Sequence, residues 1–345
     1  MIDVLDSAAV TAAIRERVLA ALPAGDPHPE LDRFAALQRD YPSRQGKTLR
    51  GRVLVLSAAA HGAGDLDAAL TVAAALELFQ AWVLVHDDIE DGSEERRGAP
   101  ALHRVVGMPV ALNVGDAMHV RMWRLLHGLL APDPAHPARA AVAPRVLEEF
   151  GAMVTRTAEG QHLDLAWVAA GRFDVSEDEY LHMVTLKTAW YTVASPLRLG
   201  ALLAGREPTE ALTRAGLELG AAFQVRDDVL NLEDAPGYGK EELGDLFEGK
   251  RTLLLAHLLR TAPPDEAEEV VRRLAGPREA RGREDAERVL ALMRRHGSLA
   301  YAQAAARRLA GSGLAALDQA LADAPDARAA AALRRELAAV AERTR

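Results

Sequence analysis
The stretch Gln80-Ala-Trp-Val-Leu-Val-His-Asp-Asp-Ile-Glu-Asp-Gly-Ser-Glu-Glu-Arg-Arg-Gly98 decides how the rest of the chain is read. It begins apolar, turns acidic and ends on an arginine pair. On a helix Asp87 and Asp91 stand four residues apart and share a face, with Asp88 beside them. Like charges at that spacing destabilise an isolated helix, so the cluster asks for a cation. Mg²⁺ answers best, because it is commonly held by one or two carboxylates together with substrate phosphates. Arg96 and Arg97 follow within two turns, and guanidinium groups grip phosphate oxygens in bidentate fashion. The plainer reading is a solvated helix end followed by a charged loop.

Composition narrows the setting. The chain has 345 residues, 49% hydrophobic and 26% charged, enough for a large core. Aromatic residues make up only 4%, and alanine and leucine dominate, which favours helix over sheet. A net charge of -9 with no basic face argues against nucleic acid. Cysteine is absent, which rules out thiolate and disulfide chemistry and suits a cytoplasmic location. The first residues lack the basic and apolar regions of a signal peptide. The longest apolar run, Ala68 to Val85, contains Thr71, Glu77 and Gln80 and ends in two aspartates. It reads as a core helix and not as a transmembrane segment.

In chain order, Ser7 to Leu22 and Leu31 to Gln38 have helical spacing. Tyr41-Pro-Ser-Arg-Gln-Gly-Lys-Thr-Leu-Arg-Gly51 then places Lys47 and Arg50 on one face at a helix start, a setting for an anion. Asp65 caps the helix that carries the acidic cluster. Pro109 opens another helix to Leu130, and 131–137 is a linker. Arg145 to Ala170 reads as helix interrupted at Gly151 and Gly160. Ser176 and Glu179 form a capping box for a helix to about Leu203, with Lys187 in its otherwise apolar middle. Pro208 to Glu233 repeats the earlier pattern: an apolar run, Gln224, then Asp227 and Asp228. Gly239-Lys240 and Gly249-Lys-Arg-Thr252 add cations. No strand-like alternation occurs, and 1–345 reads as a single all-helical domain.

Two acidic helix ends cannot face each other unscreened. A carboxylate pair at about 6 Å repels by roughly 3 kcal/mol at an effective dielectric of 20. Metal ions and a substrate diphosphate reconcile these charges. The apolar runs before both clusters would line a cavity, so the matching ligand has a diphosphate head and an apolar tail.

His86-Asp-Asp-Ile-Glu-Asp-Gly-Ser-Glu-Glu-Arg-Arg-Gly98 resembles the first aspartate-rich motif of the trans-isoprenyl diphosphate synthases, and Phe223-Gln-Val-Arg-Asp-Asp-Val-Leu-Asn231 resembles the second. The resemblance covers roughly residues 40 to 260. It implies an all-α isoprenoid-synthase bundle around a deep cavity, a homodimer, and head-to-tail condensation of isopentenyl diphosphate onto an allylic diphosphate. Carried over by position, Asp87, Asp91 and Asp227 are metal ligands, with Asp88 and Asp228 beside them. Three Mg²⁺ ions per site, bound with the allylic diphosphate, are implied. Lys47, Arg50, Gln80 and Arg97 resemble the isopentenyl diphosphate site. Arg96, Lys187, Thr188, Gln224, Lys240 and Lys250 resemble the allylic diphosphate site. Two departures stand out: Asn231 replaces the third aspartate of the second motif, and Gln45 replaces a glycine. Trp82, five residues before the first aspartate, with Val83 beside it and Phe79 below, is expected to limit chain length. The expected product is C20 geranylgeranyl diphosphate, with C15 farnesyl diphosphate the near alternative.

Three other readings compete. A class I terpene cyclase would leave Lys47, Arg50 and Arg97 without a second anionic substrate. A non-catalytic synthase subunit would be expected to lack aspartates or lysines that are present. A di-iron carboxylate bundle could use Glu159-x-x-His162 and Glu179-x-x-His182, though Gly171 and a helix cap separate the pairs.

Overall fold
A computed structural model describes residues 3–44, 46–233 and 242–341. Helices dominate it. The N-terminal half comprises α1 (Ser7–Ala21), α2 (Pro29–Ser43), α3 (Leu49–Ala60), α4 (Leu66–Glu90), α5 (Leu102–Val106), α6 (Met108–Gly128) and α7 (Arg139–Ala169). Next come α8 (Glu177–Val184), a wide π-helical segment (Thr185–Ala194), α9 (Ser195–Leu203) and α10 (Glu210–Leu232). The remainder comprises α11 (Gly244–Glu248), α12 (Leu253–Thr261), α13 (Pro264–Leu274), α14 (Arg283–Arg295), α15 (Ser298–Ala320) and α16 (Ala327–Ala341).

Local chemistry sets these boundaries. Asp65 accepts the Ala68 N–H and starts α4, as the sequence predicts. Ser176 and Glu179 cap α8 reciprocally, also as predicted. Four expectations need correction. First, α7 runs unbroken through Gly151 and Gly160. A Cβ on Gly160 would stand 2.1 Å from the Lys187 amide nitrogen, so this glycine permits close packing and does not end the helix. Second, a two-residue antiparallel hairpin pairs Glu95–Arg96 with Ala99–Pro100. Arg97 and Gly98 at its tip have φ of 55° and 74°, as a type I′ turn requires. Third, the helix expected from Ser176 to about Leu203 widens to π geometry around Lys187, a form often found at functional sites. Fourth, Lys47 precedes α3 and is exposed, while Arg50 is buried in its first turn, so the two do not share a helical face.

The interior is built from α4 against α6, α3 against α9 and α4, and the π segment between α7 and α10. α15 covers α10, and α16 covers α3. Phe79 and Phe150 are fully buried and meet edge to face at 6.1 Å between ring centroids. Burial of side chains of that size stabilises by about 1.5–3 kcal/mol each. By length and apolar content α4 alone among the described helices could cross a membrane, but 67% of its most apolar window is buried inside the protein.

Candidate active site
The ends of α4 and α10 open on one cavity of about 240 Å³. Asp87 lines it from α4, and Asp227 and Asp228 line it from α10. Arg50, Gln80, Arg96, Arg97, Lys187, Thr188, Gln224 and Lys250 also line it, so residues spread over some 200 positions converge. Lys240 lies outside the described residues.

In each acidic motif the second aspartate turns inward. Asp88 is fully buried and accepts from the Tyr41 hydroxyl and from Arg96. The Tyr41 oxygen in turn accepts the Leu102 N–H at 3.1 Å. Asp228 is buried likewise and accepts from the Tyr180 hydroxyl at 2.6 Å and from Gln224 at 2.7 Å. Burial pushes the Asp228 carboxyl up, and these two hydrogen bonds oppose the rise. Asp88 and Asp228 therefore orient their helix ends, and their partly buried neighbours Asp87 and Asp227 face the cavity.

The outer carboxylates are met by lysines. Lys187 donates to Asp164 at 2.6 Å and lies 3.5 Å from Asp87. Lys250 lies 2.8 Å from Asp91 and 2.7 Å from Glu248. Burial alone would push both lysines down. The facing carboxylates outweigh it and hold both above the ordinary lysine value, so both are charged. Arg96 is held up against burial in the same way by Asp88 and then Asp87. Gln161 bridges Asp87 and Glu90 at 3.3 and 2.6 Å. Thr188 donates to Gln224 at 2.9 Å and fixes that amide for Asp228.

A second cationic pole lies behind Gln80. Arg50 donates to Thr192 at 3.0 Å and lies over the Tyr191 ring at 4.4 Å. The hairpin turn sends Arg97 to this side, away from Arg96. There it reaches the Tyr41 and Arg44 carbonyls, each at 3.4 Å. A Cβ on Gly46 would stand 3.1 Å from the Arg97 guanidinium carbon, so glycine lets the backbone lie against that group. Glu77 accepts the Gly51 N–H at 3.2 Å, and burial pushes its carboxyl up against the influence of Arg50 and Arg97.

The cavity wall below is apolar: Val83 and Leu84 from α4, Met183 and Val184 from α8, Tyr191 and Phe223. Trp82 is not on this wall. Its indole stacks on His119 of α6, with ring centroids 4.1 Å apart. Five residues turn a helix by about 140° beyond a full turn, so Trp82 cannot share the Asp87 face. Phe79 lies edge-on to both Trp82 and Tyr191, at 5.6 and 5.5 Å, and links the wall to that stack. Sequence reasoning missed Tyr41, Tyr180, Asp164, Gln161, Asp245 and Glu248. Only the last two carried a local signal, standing within five residues of Lys250.

Among the described residues, no group of three or more histidine, aspartate or glutamate side chains is close enough to form a closed metal cage. The donor set nonetheless suits Mg²⁺, which takes one or two carboxylates and fills its octahedron with water and phosphate oxygens. Burial pushes the Asp91 carboxyl up to about 7; Lys250 opposes the rise, and the neighbouring Asp87 and Glu248 add to it.

Acidic helix ends opposed across an apolar-walled cavity, with cations at two separate poles, are the arrangement of a prenyltransferase that handles diphosphate esters. The chain belongs to the polyprenyl synthetase family, whose model matches residues 32–293, and it is a trans-isoprenyl diphosphate synthase. It is 36% identical over 263 residues to a geranylgeranyl diphosphate synthase of Saccharolobus solfataricus, covering 74% of this chain and 75% of that protein. It is 34% identical to a short chain isoprenyl diphosphate synthase of Methanothermobacter thermautotrophicus, over 76% of each. Its fold is similar to the crystal structure of a Corynebacterium glutamicum geranylgeranyl pyrophosphate synthase complexed with isoprenyl diphosphate and magnesium. That match has a TM-score of 0.85 and 31% identity, over 97% of this chain and 98% of the other.

Proposed function
We propose that this chain condenses isopentenyl diphosphate with an allylic diphosphate and releases mainly the C20 product, geranylgeranyl diphosphate. The carrying observation is the two-pole cavity. Lys187, Lys250 and Arg96 surround the acidic pole, and Arg50, Arg97 and Gln80 form a pole of their own. A cyclase with one diphosphate substrate has no use for the second pole. Lys47, exposed just before α3, is a further candidate for that pole.

In this reading Asp87, Asp91 and Asp227 hold Mg²⁺. When bound with the allylic diphosphate, Mg²⁺ supplies Lewis-acid neutralisation of the leaving group. The solved magnesium complex of the related synthase supports that choice of metal. Lys187, Lys250 and Arg96, with Thr188 and Gln224 beside them and Lys240 as a further candidate, hold the allylic diphosphate. As its C1–O bond breaks, they stabilise the charge gathering on the departing oxygens. The isopentenyl double bond, fixed by Arg50, Arg97, Gln80 and Lys47, attacks that C1. A proton then leaves the isopentenyl C2 for the released diphosphate, so no side-chain base is required. Val83, Leu84, Tyr191 and Phe223 keep water from the allylic cation. The lengthening tail points toward Phe79 and the Trp82–His119 stack, which we assign as the far limit of the product.

Val105, Met108, Leu112 and Val120 on α5 and α6 are exposed, and this apolar face supports a homodimer. The absence of cysteine suits the cytoplasm. The test supplies isopentenyl diphosphate with dimethylallyl, geranyl or farnesyl diphosphate, with and without Mg²⁺, and identifies the products. Mg²⁺-dependent C20 formation is expected. A cyclised hydrocarbon, or no condensation with any primer, refutes the reading.

A further inference from the structure
Asn231 stands where the resemblance places a third aspartate, but its side chain does not line the main cavity. It is 2% exposed, and its amide oxygen accepts the Asp245 N–H at 3.0 Å. Its own carbonyl accepts the Leu243 N–H at 3.2 Å. One residue of α10 thus fastens the chain at both ends of a two-residue step into α11. Leu243 has φ of 60°, a left-handed conformation that is strained for a residue with a Cβ and persists only where its surroundings fix it. The far end of α11 is tied to the same point, because the Lys250 N–H donates to the Asp245 carbonyl at 2.9 Å. Two hydrogen bonds in series therefore run from the Asn231 amide through Asp245 to Lys250. Lys250 Nζ in turn reaches Asp91 of the other motif.

We propose that Asn231 is a positioning residue: it fixes the strained turn before α11 and through it aims Lys250 at the first acidic motif. What the fold requires at 231 is an acceptor oxygen and not a metal-binding carboxylate. Asparagine and aspartate both supply that oxygen, which explains how this chain departs from the three-aspartate pattern without losing the arrangement. The part of the inference that concerns Lys250 and substrate rests on the function proposed above; the anchoring of α11 does not.

The test compares Asn231→Leu, which keeps bulk and removes the acceptor, with Asn231→Asp, which keeps it. Amide exchange by mass spectrometry on the ligand-free proteins should show the Asp245 amide exchanging about tenfold faster in Asn231→Leu, the scale of one lost buried hydrogen bond, while the Leu243 amide keeps the main-chain carbonyl of residue 231 as its acceptor. In Asn231→Asp they should stay within about twofold of the parent. Asn231→Leu should also raise KM for the allylic diphosphate about tenfold while KM for isopentenyl diphosphate holds, because the Arg50 and Arg97 pole is untouched. Should Asn231→Leu not fold, Asn231→Ala carries the same expectations. Parent-like exchange at Asp245 in the acceptor-less variant overturns the proposal. So does calorimetry showing Asn231→Asp binding Mg²⁺ with inorganic diphosphate about tenfold tighter, since position 231 would then be a weakened metal ligand. If the parent protein fails to condense the two diphosphates, the proposed function falls while the exchange result still decides the anchor.

Discussion

Removing one oxygen from Tyr41 tests how the first acidic motif is held. In Tyr41→Phe the ring keeps its packing and its contact with the Arg44 guanidinium, 4.5 Å from the ring centre. Two buried groups lose their partner: Asp88 loses a donor, and the Leu102 N–H loses its acceptor. A hydrogen bond to a charged group contributes about 1.5–3 kcal/mol, and an orphaned buried N–H costs about 1–3 kcal/mol. Arg96 still donates to Asp88, so the low end of each range applies, about 2.5 kcal/mol together. Unfolding entropy near 2.1 cal/mol/K per residue gives about 0.7 kcal/mol/K for a 345-residue chain, and hence a fall in Tm of about 4 °C. Tyr180→Phe makes the natural control. Its hydroxyl serves Asp228, which keeps Gln224, so a fall of roughly 2–3 °C is expected. Scanning calorimetry of both ligand-free variants decides the matter. A Tyr41→Phe protein within 1 °C of the parent (about 0.7 kcal/mol), or more stable than Tyr180→Phe, would show that the double hydrogen bond does not hold this helix end.

Asp87→Asn and Asp227→Asn should each lower kcat by at least about a hundredfold, because neutralisation of the leaving group acts mainly in the transition state; near-normal turnover in both would end the metal assignment. Arg50→Ala should raise KM for isopentenyl diphosphate far more than for the allylic substrate, and Lys250→Ala the reverse, as separate titrations of each substrate will reveal. Trp82→Ala should lengthen products by at least one C5 unit in chromatographic analysis; unchanged products with a stability loss of about 3–5 kcal/mol would make Trp82 a packing residue only. Glu179 is held down to about 2 by the Ser176 N–H and then by Arg172, so its contribution to stability is full above the unfolded value of 4.5 and disappears as pH falls through 2. Tm measured between those pH values should therefore fall less steeply in Glu179→Gln than in the parent.

The acidic motifs were legible in the sequence because each is short and local: an apolar helix running into carboxylates. Lys187 was legible for a similar reason, as a charge inside an apolar run. Their partners were not. Tyr41 precedes Asp88 by 47 residues and Tyr180 precedes Asp228 by 48, and nothing in either neighbourhood marks a tyrosine as a carboxylate's donor. Asp164 meets Lys187 only because α7 and the π segment pack closely, a tertiary fact. Trp82 is the reverse case. Its spacing places it below Asp87 along α4, and the same spacing turns it off the Asp87 face, where α6 supplies His119 as its partner. Gly151 and Gly160 were read as interruptions because glycine's usual local meaning is weakness. In α7 its meaning is proximity to another backbone, which no single-segment pattern can express.

The wide turn at Thr185–Ala194 constrains the length of the chain at this point. It presses on α10 as well as α7: a Cβ on Gly216 would stand 2.4 Å from Ala194 Cα, and one on Gly220 2.5 Å from Ala189 Cα. Such a segment holds one residue more than an α-helix would over the same turn. Deleting a single residue would let it tighten to α geometry, with α8 and α9 keeping their relative placement. The residues inside it, Lys187 and Thr188 among them, would lose the offset that the extra residue gives them, while Arg198 of α9 kept its two hydrogen bonds to Glu149. The largely exposed connection at 131–137 should tolerate a residue more or less with little consequence. Between 185 and 194 the count of residues is itself part of the active site, and a one-residue deletion there should be more damaging than most substitutions.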